Sequence, residues 1–379
     1  MRAQWLAALV CSVSLFAAAC GPARPVPTGA GAATSSGARE AWQDEWDQLV
    51  AAATQEGKLH MFGPQGDEQR RALTEPFESR FGITVEYQGA GGPEVTPRVN
   101  NERGAGMYNW DVFMQGTTTL TKGLKPIGAL DPIEPMLLLP EVKDPTKWRG
   151  GELPFFESDR IGLSIFRRSG QYFYRNTEQV RAEELRSWRD LLDPKWKGRL
   201  LVGRDPRLAG YGRAMFLFFY IQPELGPDYI RELAKQDLQI LRNDRQAAEW
   251  LVQGRYPLCF CSDVDTQSFI DNGLPGAVVD PRSLKEGTHA TSAYANIALA
   301  NRAPHPNAAK LYINWVLSQE GITSFTKATH DPPLRLDVST EGVNSWAIPE
   351  PNWPITNRED SLDLEDALVS LLVELLGPI

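Results

Sequence analysis

The sequence is poor in cysteine and histidine. Two of its four cysteines lie within residues 1–20, which leaves only Cys259 and Cys261 in the rest of the chain. A Cys/His zinc site needs four ligands at matching spacings, and the histidines are scattered at His60, His289, His305 and His330. We therefore expect no metal site. We interpret the two later cysteines as small apolar core residues, because a disulfide between residues two apart is geometrically awkward.

An excess of positive charge is also missing. The chain has 39 Lys and Arg against 48 Asp and Glu, for a formal net charge of −9. Nucleic acid is therefore not an expected partner. The sequence contains no Gly-x-Ser-x-Gly elbow, no His-Glu-x-x-His pair and no Walker-type phosphate loop. We expect no enzymatic activity and no cofactor, and a secreted hydrolase stays the alternative from another functional class.

Apolar runs long enough to span a bilayer, which takes about 20 residues, are lacking, and one shorter run stands at the start. Residues 1–19 combine Arg2, a short apolar stretch and three alanines, which predicts a signal peptide. Cys20 follows directly and resembles a lipobox cysteine, although Ala17 stands where leucine is usual. Lipidation of Cys20 is the favoured prediction, with ordinary cleavage or a retained anchor as alternatives.

Residues 20–40 are rich in Gly, Pro, Ala, Ser and Thr and hold almost no bulky side chains. Such a segment cannot bury enough surface to fold, so we expect a flexible tether. Together these features predict an exported protein that is lipid-anchored at the outer face of the cytoplasmic membrane. Contact with the membrane is expected only through the anchor.

The length of the chain predicts two lobes. Its 379 residues exceed the ~250–300 residues that one core usually serves. Short strands are predicted at 59–62, 82–87 and 110–114, and a second series at 200–202 and 258–260, with helices between them, notably over 211–221. This rhythm is typical of parallel α/β units. A further helix is expected over 307–318, with Gly321 past its end as a stop signal.

Several motifs between about residue 42 and residue 340 carry a family resemblance. The most specific is the run 187–199, Ser-Trp-x-Asp-Leu-Leu-Asp-Pro-Lys-Trp-Lys-Gly-Arg. Others stand at 46–58, 77–87, 101–112, 303–310 and 317–321. In these motifs the chain resembles the bacterial extracellular solute-binding proteins of ABC importers, of the iron, thiamine, polyamine and organic-anion type.

The resemblance implies a type II periplasmic-binding-protein fold, an α/β fold in which a ligand cleft separates two lobes. We expect lobe 1 at residues 41–160 and 285–340, lobe 2 at 161–284, and a C-terminal extension with a helix at 341–379. The implied partners are a small-molecule solute and an ABC permease with its ATPase. We expect a monomer.

In this family, ligand contacts come from loops after strands and from helix starts. Backbone N–H groups at 116–118 favour an anion, with plain N-capping by threonine as the alternative. Arg207 is able to grip a carboxylate or phosphate, or to form a surface pair with Asp205. The predicted site residues are Gly63, Gln65, Gly66, Gly116, Thr117, Thr118, Asp205, Arg207, Gly210, Tyr211, Arg213, Asp263, Asp265 and Arg335.

The acidic pair and the last arginine have alternative readings. Asp263 and Asp265 suit an amine or a hard metal, or they cap a helix. Arg335 reaches the cleft or braces the linker. An organic anion is the favoured ligand, mainly because of Arg207 and the glycine loops. Ferric iron is an alternative weakened by the absence of adjacent tyrosines, since Phe173 separates Tyr172 from Tyr174 and strand packing also explains this pair. Thiamine or a polyamine would need aromatic and acidic walls.

Overall fold

The computed structural model describes residues 40–170, 172–356 and 358–379, and for Asp263, Val264 and Leu362 only the backbone. The predicted signal peptide, Cys20 and nearly all of the tether lie outside the described residues. No helix in the described ranges has both the length and the apolar character needed to cross a membrane.

The described chain alternates between short strands and helices. The strands are β1 (Lys58–Gly63), β2 (Thr84–Gly89), β3 (Val112–Gln115), β4 (Leu130–Asp131), β5 (Gly162–Ser164), β6 (Arg168–Ser169), β7 (Phe173–Arg175), β8 (Leu200–Val202), β9 (Gln239–Ile240), β10 (Leu258–Phe260), β11 (Ala277–Val278), β12 (Ala290–Thr291) and β13 (Asn296–Ala300). The helices are α1 (Ala41–Glu56), α2 (Asp67–Phe81), α3 (Gly92–Gly104), α4 (Pro140–Lys143), α5 (Tyr211–Ile221), α6 (Gly226–Ala234), α7 (Asp244–Val252), α8 (Asp263–Asp271), α9 (Pro306–Leu317), α10 (Gln319–Thr329), α11 (Glu359–Leu362) and α12 (Glu365–Leu376).

The first sheet has the strand order β2-β1-β3-β13-β4, with β5 also paired to β13. β1 runs parallel to both β2 and β3, so the carboxyl ends of these three strands meet at one edge. One core of this sheet is built around Phe77, Tyr312 and Trp315, which come from α2 and α9. A second core includes Phe62 and Phe113.

The second sheet has the order β11-β7-β10-β8-β9, with β8 parallel to β10 and to β9. Its larger core packs aromatic side chains such as Trp188, Phe219 and Phe260 with leucines from α12. Each sheet therefore has buried cores of its own. β5, which falls within the range predicted for lobe 2, pairs with β13 of the first sheet, and the predicted lobe boundaries stay a prediction.

The structure corrects the expected role of Gly321. Instead of stopping a helix, it lies in the first turn of α10, which follows α9 at once because Ser318 caps it by accepting a hydrogen bond from Gly321 N at 3.2 Å. A Cβ on Gly321 would lie 2.2 Å from the Trp315 carbonyl oxygen. The glycine is needed because the two helices approach closely at this bend.

Cys259 and Cys261 are both fully buried, as expected for core residues, but they also form a disulfide. Their Cα atoms are 5.3 Å apart, which is within the usual range for this bond. The separation is shorter than two steps of a fully extended chain, because β10 ends at Phe260 between them. The sequence alone did not favour this pairing.

Candidate functional site

A pocket of about 720 Å³ lies where the carboxyl ends of the first sheet's parallel strands face the loops of the second sheet. Loops after β1, β2 and β3 line one side, and the loop after β8 with the start of α5 lines the other. The lining includes Pro64, Gln65, Gly91, Gly92, Gln115, Gly116, Thr117, Thr118, Tyr172, Arg204, Gly210, Tyr211, Arg213, Tyr294, Thr356 and Glu365. A volume of this size suits a small solute.

Gln115 fixes the first-sheet side of the pocket. Its buried side-chain amide donates hydrogen bonds to the carbonyl oxygens of Ala90, at 3.1 Å, and Gly63, at 3.4 Å. The backbone carbonyl oxygen of Gln115 accepts a hydrogen bond from Asn296 Nδ2 at 2.9 Å. These contacts hold the ends of β1, β2, β3 and β13 together, so the loops that follow them are rigidly placed.

Two helices begin at the pocket. α3 follows Gly91 and α5 follows Gly210, and within the described residues neither helix start has a side-chain cap. The first N–H groups of a helix have no intrahelical acceptor and carry partial positive charge. Gly210 has φ 134°, a conformation that a side chain would strain. The start of α5 therefore offers backbone donors suited to an anion, whereas α3 adds mainly Gly92 N–H, because Pro93 has no N–H and Glu94 N donates to the Gly91 carbonyl oxygen.

Two arginines add full positive charge to the lining. Arg204 donates hydrogen bonds to the Asp244 carboxylate, and this pairing raises the pKa of Arg204. Arg213 has its Nη1 3.5 Å from Glu365 Oε2 and donates from Nη2 to the Arg207 carbonyl oxygen. Its Nε is buried and has no hydrogen-bond partner among the residues that the structure describes.

Glu365 is the acidic member of the pocket. It is largely buried, and this burial raises the pKa of its carboxyl group, while the positive charge of Arg213 partly offsets the rise. The carboxylate therefore reduces the positive potential next to Arg213. The pocket is therefore not uniformly cationic. It combines hydrogen-bond donors that suit an anion with one strong hydrogen-bond acceptor, the Glu365 carboxylate.

Three tyrosines line the pocket. Tyr172 stacks on Tyr211 with ring centroids 4.8 Å apart. The Tyr211 hydroxyl donates to Asp244 Oδ1 at 3.0 Å, and the Tyr294 hydroxyl donates to Asp331 Oδ2 at 2.8 Å. Burial first, and then the neighbouring carboxylate, raises the pKa of Tyr211 and of Tyr294. Both hydroxyls are thus held as neutral donors, which opposes their use as phenolate ligands for ferric iron.

The pocket lining brings together part of the predicted site. Gln65, Gly116, Thr117, Thr118, Gly210, Tyr211 and Arg213 all line it. The structure places Gly63, Gly66, Asp205, Arg207, Asp265 and Arg335 outside that lining. The side chain of Asp263 lies outside the described part of the structure. Tyr174, weighed as an iron ligand, is buried in a core beside Leu201.

Arg207 and Asp205 form a buried pair in the structure instead of lining the pocket. Arg207 donates from Nε and Nη2 to the two carboxylate oxygens of Asp205 at 2.9 and 2.7 Å. Burial alone would raise the pKa of Asp205, but the hydrogen bonds and charge of Arg207 hold it below its usual range. The remaining Arg207 nitrogen, Nη1, donates to the carbonyl oxygens of Leu376, Gly377 and Pro378 at 3.0, 2.7 and 3.1 Å.

The other predicted residues that lie outside the lining have structural contacts. A Cβ on Gly63 would lie 2.3 Å from the ring of Tyr87, so the glycine makes room for that ring. Gly66, at φ 122°, precedes α2. Arg335 is fully buried and donates to the backbone oxygens of Glu141 and Leu317, each at 3.2 Å.

Sequence reasoning missed several lining residues. Gly91 and Gly92 belong to a Gly-Ala-Gly-Gly-Pro run after β2, whose glycines and helix-starting proline are a usable signal. Arg204 directly follows β8 and its turn, next to the loop that was singled out. Thr356 and Glu365 carry no such signal, because they come from the C-terminal segment beyond the recognised motifs.

A possible metal-binding cluster lies away from the pocket. Among the described residues, His60, Asp111 and His305 bring ligand atoms within 4.8 Å of one another. The Asp111 carboxylate, however, accepts hydrogen bonds from the backbone N–H of His60 and of His305, each at 2.7 Å, and contacts His305 Nδ1 at 2.8 Å. It therefore joins β1 to the start of α9, and its oxygens already have protein donors.

The fold and the pocket together define a two-lobed binding protein of the type II periplasmic class. The chain belongs to the bacterial extracellular solute-binding proteins, since the model of that family matches residues 72–350. A comparison with curated protein sequences finds no match. Proteins of this family are binding proteins, and the chain is a solute-binding protein of the ABC-importer type.

Solved structures show the same fold. The periplasmic binding protein AfuA from Actinobacillus pleuropneumoniae, with fructose-6-phosphate bound, is 17% identical with a TM-score of 0.60, over 86% of this chain and 100% of its own. Iron-bound HitA from Pseudomonas aeruginosa is 17% identical with a TM-score of 0.60, over 84% and 99%. Apo ferric ion-binding protein A from Pasteurella haemolytica is 15% identical with a TM-score of 0.65, over 85% and 98%.

Proposed function

We propose that this protein captures a small organic anion in the pocket between its two sheets and delivers it to an ABC permease. The observation that carries the proposal is the meeting of Arg204 and Arg213 with two helix starts that have no side-chain cap within the described residues. Charged donors and helix dipoles both favour a phosphate or carboxylate group. The fructose-6-phosphate in AfuA makes a phosphorylated compound a reasonable member of this class.

Ferric iron is the second candidate, because HitA is iron-bound and three tyrosines line the pocket. Against it stand the carboxylate partners of the Tyr211 and Tyr294 hydroxyls. Each phenolate would form beside an existing negative charge, which raises the free energy of the ionised form. A cation such as thiamine or a polyamine is the third candidate, because Glu365 and the tyrosine rings of the lining are groups that bind cations.

The test is a thermal-shift screen followed by calorimetry. The panel contains fructose 6-phosphate, gluconate, citrate, inorganic phosphate, acetate, ferric iron, thiamine and spermidine. We expect at least one organic anion to raise Tm by a few degrees, since a ligand at 100 times its Kd stabilises by about 2.7 kcal/mol. Stabilisation by iron alone or by a cation alone would contradict the organic-anion proposal.

Arg213→Met supplies the matching variant. Loss of a charged hydrogen-bond donor is expected to weaken binding of the anion by about 1.5–3 kcal/mol. The control is Arg245→Met, because Arg245 is exposed and lies outside the pocket lining. Equal affinity of the two variants for the anion would remove Arg213 from the site.

We also propose that the protein is exported and lipid-anchored through Cys20, and that it acts as a monomer. The support for export and for the anchor is the sequence before residue 40, with its short apolar run, small residues and tether composition. Mass spectrometry of the membrane fraction is expected to find a lipidated Cys20 at the mature N-terminus. A full-length chain, or cleavage elsewhere without lipid, would contradict the anchor, and light scattering tests the monomer.

A further inference from the structure

The last segment of the chain forms part of the pocket wall. This strap, residues 353–379, contributes Thr356 and Glu365 to the lining. The family model ends at residue 350, before the strap begins. Thr356 and Glu365 therefore lie outside the matched range, as Pro64 and Gln65 of the same lining do.

The strap is firmly attached to the second sheet. Leu368, Leu371 and Leu372 of α12 are buried in that sheet's larger core. Full burial of a leucine side chain contributes roughly 1.5–3 kcal/mol. Arg207 adds the three hydrogen bonds to the carbonyl oxygens of residues 376–378. The position of α12, and so of Glu365 in its first turn, is set by this packing.

The strap also contacts the first-sheet side through polar groups. Glu359 accepts hydrogen bonds from Ser158 N at 3.3 Å and Ser158 Oγ at 2.9 Å, and it pairs with Lys125 at 3.3 Å. The Ser158 backbone hydrogen bond is the main cause of a lowered pKa at Glu359. Closer to the pocket, Thr356 N donates to the Ala290 carbonyl oxygen at 3.1 Å. The strap therefore reaches both sides of the pocket.

The Thr356 hydroxyl is buried and unpaired within the part of the chain that the structure describes. The residue is only 3% exposed, and its Oγ1 has no hydrogen-bond partner among the described residues. A buried polar group left unpaired costs roughly 1–3 kcal/mol. Arg213 Nε is in the same condition, and the Arg213 guanidinium lies beside Glu365. Thr356, Glu365 and Arg213 all line the same pocket.

We infer that the strap is a specificity wall, and that Thr356 and Glu365 select an anion that carries hydroxyl groups, such as a sugar phosphate or a sugar acid. The inference rests on the proposed anion site. A carboxylate accepts hydrogen bonds from solute hydroxyls but repels a bare anion, and a threonine hydroxyl both donates and accepts. The same wall therefore favours hydroxylated anions and disfavours simple ones.

The test compares hydroxylated probes with bare ones by calorimetry. The hydroxylated probes are fructose 6-phosphate and gluconate, and the bare anions are inorganic phosphate and acetate. The strap variants are Thr356→Val and Glu365→Gln. A second variant at residue 365, Glu365→Asp, keeps the carboxylate but moves it away from the pocket by one methylene group. Thr340→Val and Glu374→Gln are matched controls, because both residues are exposed and outside the pocket, and Glu374 lies on the same helix as Glu365.

We expect the Glu365 variants to weaken binding of the hydroxylated probe roughly tenfold, as for loss of a hydrogen bond to a charged group. Thr356→Val removes a neutral hydrogen bond and should weaken binding by about threefold or more. Glu365→Gln should bind the bare anions more tightly than wild type, and the controls should match wild type within about twofold, as expected for exposed side chains that make no contact with the solute. Thermal melts confirm that each variant is folded.

Two failures are distinguishable. If wild type binds a hydroxylated anion and the strap variants bind it equally well, the specificity wall is refuted while the anion site stands. If wild type binds no anion of either kind, the proposed function fails, and the inference that rests on it fails with it.

Discussion

Arg207 lies in the predicted loop, but its side chain is outside the pocket lining. Its position in a loop after β8 made it the favoured anion ligand. In the structure its guanidinium pairs with Asp205 and holds the end of the strap. The nearby Arg213 lines the pocket instead. The two arginines are six residues apart and have the same chemistry, so their sequence positions alone do not indicate which one faces the pocket.

His289 permits a prediction at the same scale. It is fully buried, both ring nitrogens lack hydrogen-bond partners within the described residues, and burial lowers its pKa to about 3. Between that pH and its ordinary pKa of 6.5, the unfolded chain binds the proton and the folded chain does not. Titration of His289 therefore leaves the free energy of unfolding unchanged above pH 6.5. As pH falls from 6.5 towards 3, it lowers the free energy of unfolding by about 5 kcal/mol at most.

His289→Leu should remove this dependence. The leucine fills a similar apolar space and does not titrate, so the free energy of unfolding should fall less steeply below pH 6.5 than in wild type. Urea unfolding at several pH values measures the difference. His330→Asn serves as control, because His330 is exposed and asparagine tolerates its left-handed backbone at φ 56°. Parallel curves for wild type and His289→Leu would contradict the account.

At the scale of elements, the sequence predicted most of the regular structure near the pocket. α5 was expected over 211–221 and spans Tyr211–Ile221, and β10 has the predicted ends. Strong apolar periodicity bounded by glycine or proline made these elements visible. The bend between α9 and α10 was missed, because glycine signals a helix stop and a close helix contact equally well, and only tertiary packing distinguishes the two.

Arg335 belongs to this scale because it joins several elements. Its buried guanidinium binds Glu141 and Asp337, contacts the backbone of Leu317 at the end of α9, and lies 5.5 Å from the Trp148 ring centre. Removal of one partner from a buried ionic network costs about 3–5 kcal/mol. The value should lie near the low end, because Glu141 and Asp337 are partly exposed and water solvates them after the change.

Arg335→Met should therefore destabilise the protein by about 3 kcal/mol and leave the affinity for the anion unchanged. Urea unfolding and calorimetry measure the two quantities separately. A matched surface change, Arg231→Met, is the control, since Arg231 is exposed and pairs with the exposed Asp228. Lost affinity at unchanged stability would place Arg335 in the site after all.

At the scale of the molecule, two α/β halves were predictable and the complete pocket was not. Chain length, two series of strands and the family motifs together indicate the two-lobed fold, which the structural neighbours share. The lining contains loops at 64–65, 90–93, 115–119 and 209–214, which follow strands or begin helices and are foreseeable as such. Glu365 enters from the far end of the chain, and no local pattern indicates a contact with residue 213.

A crystal structure of the protein with the tightest-binding panel anion tests the central claim most directly. The account predicts that the solute lies in the 720 Å³ pocket, with its charged group within hydrogen-bond distance of Arg213 and a helix start, and with its hydroxyl groups facing the strap. A solute bound elsewhere on the protein, or bound in the pocket without contact to either arginine, would contradict it.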